Sequence, residues 1–190
     1  MRVKQITVYE FEELSPKAKR KVINDFQNIN VDHEWYEPEI DYWQEKLKEY
    51  GFNDPKIYFS GFYSQGDGSC YDFNGLDIEK IWAHYNQVKH GAWLKAYLGE
   101  CSFKTHTSCS RYSHANTRMI ICDYYSNKVY PHLNKAIREF EIWLEGFRID
   151  LCQEIYSSLQ KEYESLITDE AIIETIKCND YEFTAEGKVA

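Results

Sequence analysis

The residues whose types and spacing are best suited to binding or catalysis lie in one glycine-rich stretch, residues 60–68, with the sequence SGFYSQGDG. Glycines on both sides of Asp67 let the backbone adopt positive φ angles and expose its N–H groups. Successive exposed N–H groups form a concave nest that can bind an anion. Ser60, Ser64 and Gln65 add neutral hydrogen-bonding side chains. Asp-Gly is also a strong turn signal, and a hairpin turn without a ligand is the favoured interpretation.

A second polar cluster follows later in the chain: His106, Arg111, Tyr112 and His114. If the predicted strands share one sheet, this turn and the glycine-rich stretch lie at the same end of it. Asp67, His106 and His114 would then combine a carboxylate with two imidazoles, a set suited to general acid–base chemistry or to a metal ion. Nothing in the spacing requires the two segments to meet, so two separate exposed turns are the favoured interpretation.

No pattern in the chain predicts a catalytic residue, a metal ligand or a cofactor. The glycine-rich stretch lacks the lysine of a phosphate-binding P-loop and the spacing of a dinucleotide-binding loop. No two of the six cysteines have C-x-x-C spacing, which zinc knuckles and redox motifs require. Cys109 lies near two histidines in the sequence, but a buried, inert thiol is favoured. The candidate binding residues are polar side chains of the two segments: Ser60, Ser64, Gln65, Asp67, His106, Arg111, Tyr112 and His114.

Predicted strands flank both segments and would position them. Residues 56–63 and 70–73 are rich in β-favouring types and are predicted to form a hairpin around the glycine-rich turn. A second pair of strands is predicted at residues 101–108 and 116–124. A short strand is also expected at residues 3–9, and the tail from Tyr181 onward is expected to be an edge strand or a mobile end.

Local signals mark the ends of several helices. Ser15 followed by Pro16 indicates a helix start, because serine caps the first turn and proline fits the first helical position. Gly51 indicates a left-handed helix end, with Phe52 folding back onto the last turn. Thr168 is expected to cap a last helix. The other helices are predicted at about residues 38–50, 77–90, 93–98 and 133–167.

The longest of these helices has a heptad-like apolar seam, formed by Leu133, Ile137, Phe140, Leu144, Phe147 and Leu151. The strict seam is short, so packing against a sheet is favoured over a coiled-coil dimer. Predicted strands and helices are mixed along the chain without a regular βαβ order, which favours an α+β over an α/β fold. We therefore predict a single α+β domain over residues 1–190, with a small antiparallel sheet packed against several helices including a long C-terminal helix.

The charge of the chain restricts its partners. A net charge of −9 and a pI near 5.2 oppose direct binding to nucleic acid, which needs a basic surface. Solubility is the favoured interpretation of this charge, and competition for a basic surface is the alternative. No segment is apolar enough to span a membrane and no signal peptide is evident. The sequence thus predicts a cytoplasmic protein with reduced thiols, and it does not predict the oligomeric state.

Aromatic residues make up 16% of the chain, and tyrosine and tryptophan suit protein interfaces. Residues 32–43 mix acidic and aromatic side chains densely and are the first candidate for such an interface. A helix edge with its aromatics in the core and its carboxylates in water is slightly favoured.

Several segments resemble a family of small, mostly uncharacterised proteins carried by bacteriophages and prophages, some of them labelled antitoxin-like. The resembling stretch is residues 58–68, of which residues 60–68 are distinctive. Similar segments are the opening residues 6–9, the helix start at 14–18, residues 112–114 and the ending at 179–184. This resemblance implies a phage-encoded protein that counters a host defence, as anti-CRISPR proteins do, and it implies no catalytic residue.

Three hypotheses follow. The first is a phage-encoded protein, acting in the cytoplasm of the host cell, that binds and blocks a host defence protein. The second is a protein that binds a small phosphorylated or nucleotide ligand through the loop at residues 64–69 and the turn at 106–114. The third, ranked last, is an enzyme that uses the same site.

Overall fold

The computed structural model describes residues 5–85, 91–108, 112–123 and 131–190. These residues form an α+β protein with small antiparallel sheets and a long C-terminal helix, as predicted. The helices are α1 (Pro16–Asp25), α2 (Glu37–Tyr50), α3 (Ile78–His84), α4 (Gly91–Leu98), α5 (Pro131–Leu166) and α6 (Asp169–Cys178). The strands are β1 (Lys56–Phe59), β2 (Ser69–Asp72), β3 (Ser102–Thr107) and β4 (Arg118–Asp123).

The chain divides into two compact units. The first contains residues 1–37 and 160–190, and the second contains residues 38–159. The prediction that residues 1–190 form one domain stays a prediction.

The first unit is a small helical core in which α1 and α6 pack together with residues near both ends of the chain, such as Phe11 and Phe183. Ser15 caps α1 by accepting a hydrogen bond from the N–H of Ala18 at 3.3 Å, and Pro16 occupies the first turn. Thr168 caps α6 in the same way, through the N–H of Ala171. Both caps confirm the sequence signals. The core side chains are buried and apolar: Phe11, Leu14, Ala18, Val22, Ile23, Ile172, Ile176 and Phe183.

Both termini differ from their predicted form. The strand expected at residues 3–9 is reduced, over its described residues, to one antiparallel bridge between Tyr9 and Phe183. The tail is anchored there, because Phe183 is fully buried. Gly187 has a φ of +72°, and a side chain at this position would meet the carbonyl oxygen of Ala18 at 2.9 Å. The tail therefore packs against α1 through a position that requires glycine.

The second unit begins with α2, which ends as predicted. Gly51 has a φ of +107°, and the N–H of Phe52 donates to the carbonyl of Leu47 at 3.0 Å. This bond is the mark of a Schellman motif. Phe52 is fully buried and packs edge-on against Tyr71 and Phe73. The end of the helix thus starts the aromatic core of the unit.

The strands form two separate two-stranded sheets. In the first, β1 pairs with β2 so that Phe59 lies opposite Ser69, and the predicted strand at residues 56–63 ends at Phe59 because the chain turns there. In the second, β3 pairs with β4. An isolated bridge between Asn74 and Lys104 links the end of the first sheet to the second. Helix α3 ends at His84, and residues 86–90 of the predicted helix lie outside the described residues.

Helix α5 carries the main buried stripe of the second unit. Ile137, Phe140, Leu144 and Leu151 are buried as predicted, whereas Phe147 is only partly buried. The side chain that fills the stripe between Leu144 and Leu151 is Arg148, which is 0% exposed. The buried positions recur every three or four residues, the spacing of a straight helix packed against a sheet.

Candidate functional site

The loop between β1 and β2, residues 60–68, is folded around the carboxylate of Asp67. Its Oδ2 atom accepts hydrogen bonds from the N–H groups of Tyr63 at 2.9 Å and Ser64 at 2.6 Å. The N–H of Asp67 donates back to the carbonyl of Ser64 at 3.0 Å, and the N–H of Ser60 closes the loop on the carbonyl of Gly68. Two of the N–H groups that could have formed an anion nest are therefore bonded to the loop's own carboxylate.

Glycines let this loop approach the turn at residues 112–117. A side chain at Gly68 would meet the Cδ2 atom of His114 at 3.0 Å and its Cα atom at 3.3 Å. A side chain at Gly66 would lie 3.7 Å from the ring of Tyr112, and Gly66 also has a φ of +98°. The two polar segments therefore meet, contrary to the favoured interpretation of the sequence. The glycines of the loop are visible in the sequence, but the sequence does not show that Gly66 and Gly68 leave room for Tyr112 and His114, which are distant along the chain.

His114 begins the short 3-10 turn at Ala115–Thr117 that leads into β4. Its Nδ1 atom accepts a hydrogen bond from the N–H of Asn116 at 3.2 Å, so the neutral ring carries its proton on Nε2. The carbonyl of His114 accepts from the hydroxyl of Thr117 at 2.7 Å. The imidazole is thus held in one tautomer beside the glycine-rich loop.

An open cleft of about 390 Å³ lies where the loop, the turn and helix α5 meet. Its polar lining residues are Asp67, Ser69, His114, Asn116, Gln153, Tyr156 and Ser157. Within the described part of the chain, Asp67 is the lining residue with a formal charge. Burial, and next the charge of Asp67, raise the pKa of the Tyr156 hydroxyl. The cleft is therefore polar, contains both hydrogen-bond donors and acceptors, and is locally negative.

A buried ion pair on α5 holds the turn in place. The guanidinium of Arg148 donates to the carbonyls of Ala115 at 2.9 Å and Arg118 at 3.0 Å, and it pairs with Glu145. Glu145 in turn accepts from the N–H of Ile120 at 3.2 Å. Burial alone disfavours a charged Arg148, but the hydrogen bonds with Glu145 raise its pKa. The pair joins α5 to the backbone on both sides of the start of β4.

A second ion pair joins the two sheets on the other side of the same turn. Arg118 donates to the carboxylate of Asp72 at 2.7 Å, and the hydroxyl of Thr105 donates to the same oxygen at 3.0 Å. The guanidinium lies 5.3 Å from the centre of the Tyr58 ring. Asp72 ends β2 and Arg118 begins β4, so this contact fixes the first hairpin against the second.

Two thiols and a tyrosine fill the space beneath the cleft. Cys70 and Cys152 are buried, and burial raises the pKa of Cys70 and raises that of Cys152 to about 12. Tyr71 is fully buried, and its hydroxyl has no hydrogen-bond partner among the described residues. Burial raises the pKa of this hydroxyl well above its ordinary value. These thiols are protonated at neutral pH, so they are poor nucleophiles there.

Exposed tyrosines surround the loop. Tyr63 is 70% exposed, Tyr112 46% and Tyr58 39%. Beneath them, the ring of Phe62 stacks on Phe59 and contacts Tyr156, with centroid distances of 5.9 and 5.5 Å. The hydroxyl of Tyr156 donates to the carbonyl of Gly61 at 3.3 Å. The loop is thus a supported platform with aromatic rings on its outer surface.

The eight predicted binding residues have different fates. Asp67 and His114 line the cleft, and Tyr112 packs near Gly66. The backbone N–H of Ser64 donates to the Asp67 carboxylate, and Gln65 is exposed. The Ser60 hydroxyl is buried without a partner among the described residues.

The other two predicted residues do not join this cleft. His106 lies exposed on β3 opposite Met119 and does not line the cleft, because the two hairpins form separate sheets. Arg111 lies outside the described residues.

The predicted interface at residues 32–43 is also divided. Trp43 is buried, with its indole N–H donating to Glu39 at 3.1 Å. Trp35 and Tyr36 are partly buried and contact each other. Tyr42 is 55% exposed. Much of this aromatic content is therefore in packing contacts.

Sequence reasoning missed the α5 residues of the site. Gln153, Tyr156 and Ser157 share one face of the helix, as their spacing of three and four residues requires. Glu145 and Arg148 have the same helical spacing. This pattern of polar residues beside an apolar stripe was visible, but a solvated face would have produced it equally well.

Within the ranges of the chain that the structure describes, no three histidine, cysteine or carboxylate side chains are grouped so that they could hold a metal ion. No helix within these ranges has the length and apolar character needed to cross a membrane.

Comparison with known proteins places the chain in a family. A family model described as a domain of unknown function, DUF8835, matches residues 35–169. The match covers more than half of the chain, so the protein belongs to this family, and the matched range includes the loop, the turn and the cleft. No curated protein and no solved structure matches the chain.

Proposed function

We propose that this DUF8835 member is a binding protein that contacts a protein partner through the cleft and through the exposed tyrosines of the adjoining loop and turn. The finer proposal is that it is a phage-encoded anti-defence protein and that the partner is a component of a host defence system, as the resemblance to phage and prophage proteins implies. The observation that carries the proposal is the meeting of the glycine-rich loop with the turn that bears His114.

The composition of this surface supports a protein partner. Tyrosine is enriched in protein interfaces, because its ring offers a large contact area and its hydroxyl a hydrogen bond at a small entropic cost. Tyr63 and Tyr112 expose 70% and 46% of their surface. Tyr63 stands on a loop that is already ordered by Asp67 and by the aromatic stack of Phe62 and Tyr156, and Tyr112 precedes the turn of His114, near Gly66 of that loop. A preordered platform loses little conformational freedom on binding.

The overall charge supports a basic partner. A chain with a net charge of −9 is attracted over long distances to positively charged surfaces. Many nucleases and nucleic-acid-binding proteins carry such surfaces, since they must contact phosphates. A protein that covers one of them would block its function without binding nucleic acid itself.

The second hypothesis, a small phosphorylated or nucleotide ligand, has one observation in its favour. The cleft volume of about 390 Å³ falls within the range of small-molecule sites. The nature of the lining favours it less. Asp67 places a negative charge in the cleft and already uses the N–H groups of Tyr63 and Ser64. A phosphate would therefore meet repulsion and lack these donors.

Affinity capture from a bacterial host lysate tests the proposal. The wild-type protein, the double variant Tyr63→Ser/Tyr112→Ser and the control Tyr42→Ser would each be used as bait, and bound proteins and extracted small molecules would be identified by mass spectrometry. Tyr42 is 55% exposed on α2, does not line the cleft and belongs to the alternative interface at residues 32–43, so this control separates the two surfaces; loss of the partner by Tyr42→Ser alone would count against the proposal. We expect a stoichiometric protein that the wild type and the control retain and the double variant loses.

Two further results would count against the proposal. Equal capture by all three baits would place the interface elsewhere. A bound nucleotide without a protein partner would favour the second hypothesis. A positive result would be followed by phage infection of a host that carries the captured component, in which expression of the wild type, but not of the double variant, should restore plaque formation.

A further inference from the structure

We infer that the cleft beside Asp67 receives the guanidinium group of an arginine side chain presented by the protein partner. This inference rests on the proposed function and specifies the chemistry of its central contact. It is carried by the charge, the hydrogen-bonding capacity and the aromatic surroundings of the cleft.

The charge of the cleft comes from Asp67. Its Oδ2 atom accepts the two loop N–H groups, whereas its Oδ1 atom accepts no hydrogen bond from any described residue. Asp67 lines the cleft, and a carboxylate with an unused oxygen can accept a charge-assisted hydrogen bond, which is shorter and stronger than a neutral one. Tyr156 lines the same cleft, and the charge of Asp67 contributes to the raised pKa of its hydroxyl.

The remaining lining offers acceptors that match a guanidinium. Asn116, Gln153 and Ser157 each provide a side-chain oxygen at the cleft, and arginine has five N–H donors and no acceptor. Arginine is also less strongly hydrated than lysine, so it enters a partly enclosed site at a lower cost. The cleft therefore distinguishes arginine from an anionic ligand by charge and from lysine by the number of donors.

Aromatic residues belong to the elements that form the cleft. Tyr156 lines it, and Tyr63 of the loop and Tyr112 beside the turn expose much of their surface. A planar guanidinium stacks on tyrosine rings with a favourable cation–π interaction. Tyrosine and arginine are both enriched among the residues that dominate binding energy at interfaces.

The test uses N-acetyl-arginine amide as a probe of an arginine side chain, titrated against the purified full-length protein and followed by NMR of the histidine and tyrosine rings. N-acetyl-citrulline amide is the matched neutral probe, since it has nearly the same shape without the charge. Inorganic phosphate is the anionic probe. We expect saturable shifts at His114 with the arginine probe alone, and weaker binding as salt is added.

Two variants separate the Asp67 charge from the general acidity of the protein. Asp67→Asn removes the charge, while the amide oxygen can still accept the N–H groups of Tyr63 and Ser64. Asp150→Asn removes one charge from an exposed position on α5 that does not line the cleft. We expect Asp67→Asn to weaken binding of the arginine probe about tenfold or more, as loss of a charge-assisted bond predicts, and Asp150→Asn to leave it unchanged.

Three results would overturn the inference: equal binding of the citrulline probe, equal effects of the two variants, or saturable shifts with phosphate. The citrulline comparison needs only the wild type, so it remains decisive if Asp67→Asn folds poorly. In the capture assay, a partner retained equally by wild type and Asp67→Asn would also overturn the inference while the proposed function stands. Binding of the arginine probe that depends on Asp67, without any captured protein, would support the guanidinium site and refute the proposed function.

Discussion

Replacing Arg148 with methionine should destabilise the second unit and release the turn that forms the cleft. Methionine keeps most of the apolar stem of arginine but removes the guanidinium. The carbonyls of Ala115 and Arg118 then lose the hydrogen bonds from the guanidinium, although Ala115 keeps one from the N–H of Arg118, and Glu145 loses its ion-pair partner. Because Ala115 and Arg118 are buried, water replaces these bonds poorly.

The expected magnitude follows from these contacts. Removing one partner of a buried ion pair typically costs about 3–5 kcal/mol, and each lost hydrogen bond to a carbonyl contributes about 0.5–1.5 kcal/mol of this. The side chain of Glu145 is 32% exposed, so water can solvate part of the freed carboxylate. We therefore expect the lower end, about 3 kcal/mol, which corresponds to a Tm lowered by about 6–12 °C in a chain of this size.

The control is Arg138→Met on the same helix. Arg138 is also paired with a glutamate three residues away, Glu141, but its side chain is 73% exposed. An exposed pair contributes little, so this variant should stay within about 0.5 kcal/mol of the wild type. Urea unfolding followed by circular dichroism and by tryptophan fluorescence would measure both variants, and differing midpoints between the two probes would show that the transition is not two-state.

Hydrogen exchange gives a local readout of the same change. The N–H of Ile120 donates to Glu145, so it should exchange faster in Arg148→Met and not in Arg138→Met. Equal stability of the two variants, or unchanged exchange at Ile120, would refute the view that the buried pair positions the turn.

Three further predictions concern the loop, the buried thiols and pH. Gly68→Ala should destabilise the protein by about 1–3 kcal/mol, because the added methyl group overpacks against His114. Adding His114→Ala should relieve part of this destabilisation. Additive effects in the double-mutant cycle would show that the loop and the turn do not touch. Ellman's reagent should modify the exposed Cys178 rapidly, whereas Cys70 and Cys152 should react only after unfolding. Peptide mapping would identify the labelled cysteines. Early labelling of Cys70 or Cys152 would contradict their burial. Burial raises the pKa of Cys152 to about 12 from an ordinary value of 9.0. Above pH 9 the unfolded state therefore loses this proton first, and the free energy of unfolding should fall by up to about 1.4 kcal/mol per pH unit. Urea unfolding at several pH values should give a flatter dependence of this free energy on pH for Cys152→Ala than for the wild type, and equal slopes would contradict the shift.

Features that depend on neighbours along the chain were predicted correctly. Ser15, Gly51 and Thr168 act within one turn of their own helices, through bonds to residues three to five positions away. Such contacts depend on residue type and spacing alone, so the sequence contains the information needed to recognise them. The same holds for the hairpin that carries the glycine-rich loop, since its turn residues and its strands are adjacent in the chain.

Features that depend on distant residues were predicted poorly. Phe147 was assigned to the buried seam of α5, but Arg148 lies there instead. Apolar periodicity could not show this, because a buried arginine is stable only when carbonyls and a carboxylate from other elements surround it. His106 was grouped with Asp67 on the assumption of one shared sheet, and the structure has two.

The α+β class, several helix ends, the hairpin and the acidic charge can be read from the sequence, because each of these follows from local residue types or from composition. The contact of the Asp67 loop with the His114 turn, and the completion of the cleft by Gln153 and Tyr156 of α5, become visible only in the folded chain. Close approach at Gly68 and burial of Arg148 depend on atoms brought together from distant parts of the chain. Residue spacing along one chain does not specify those distances, and packing does.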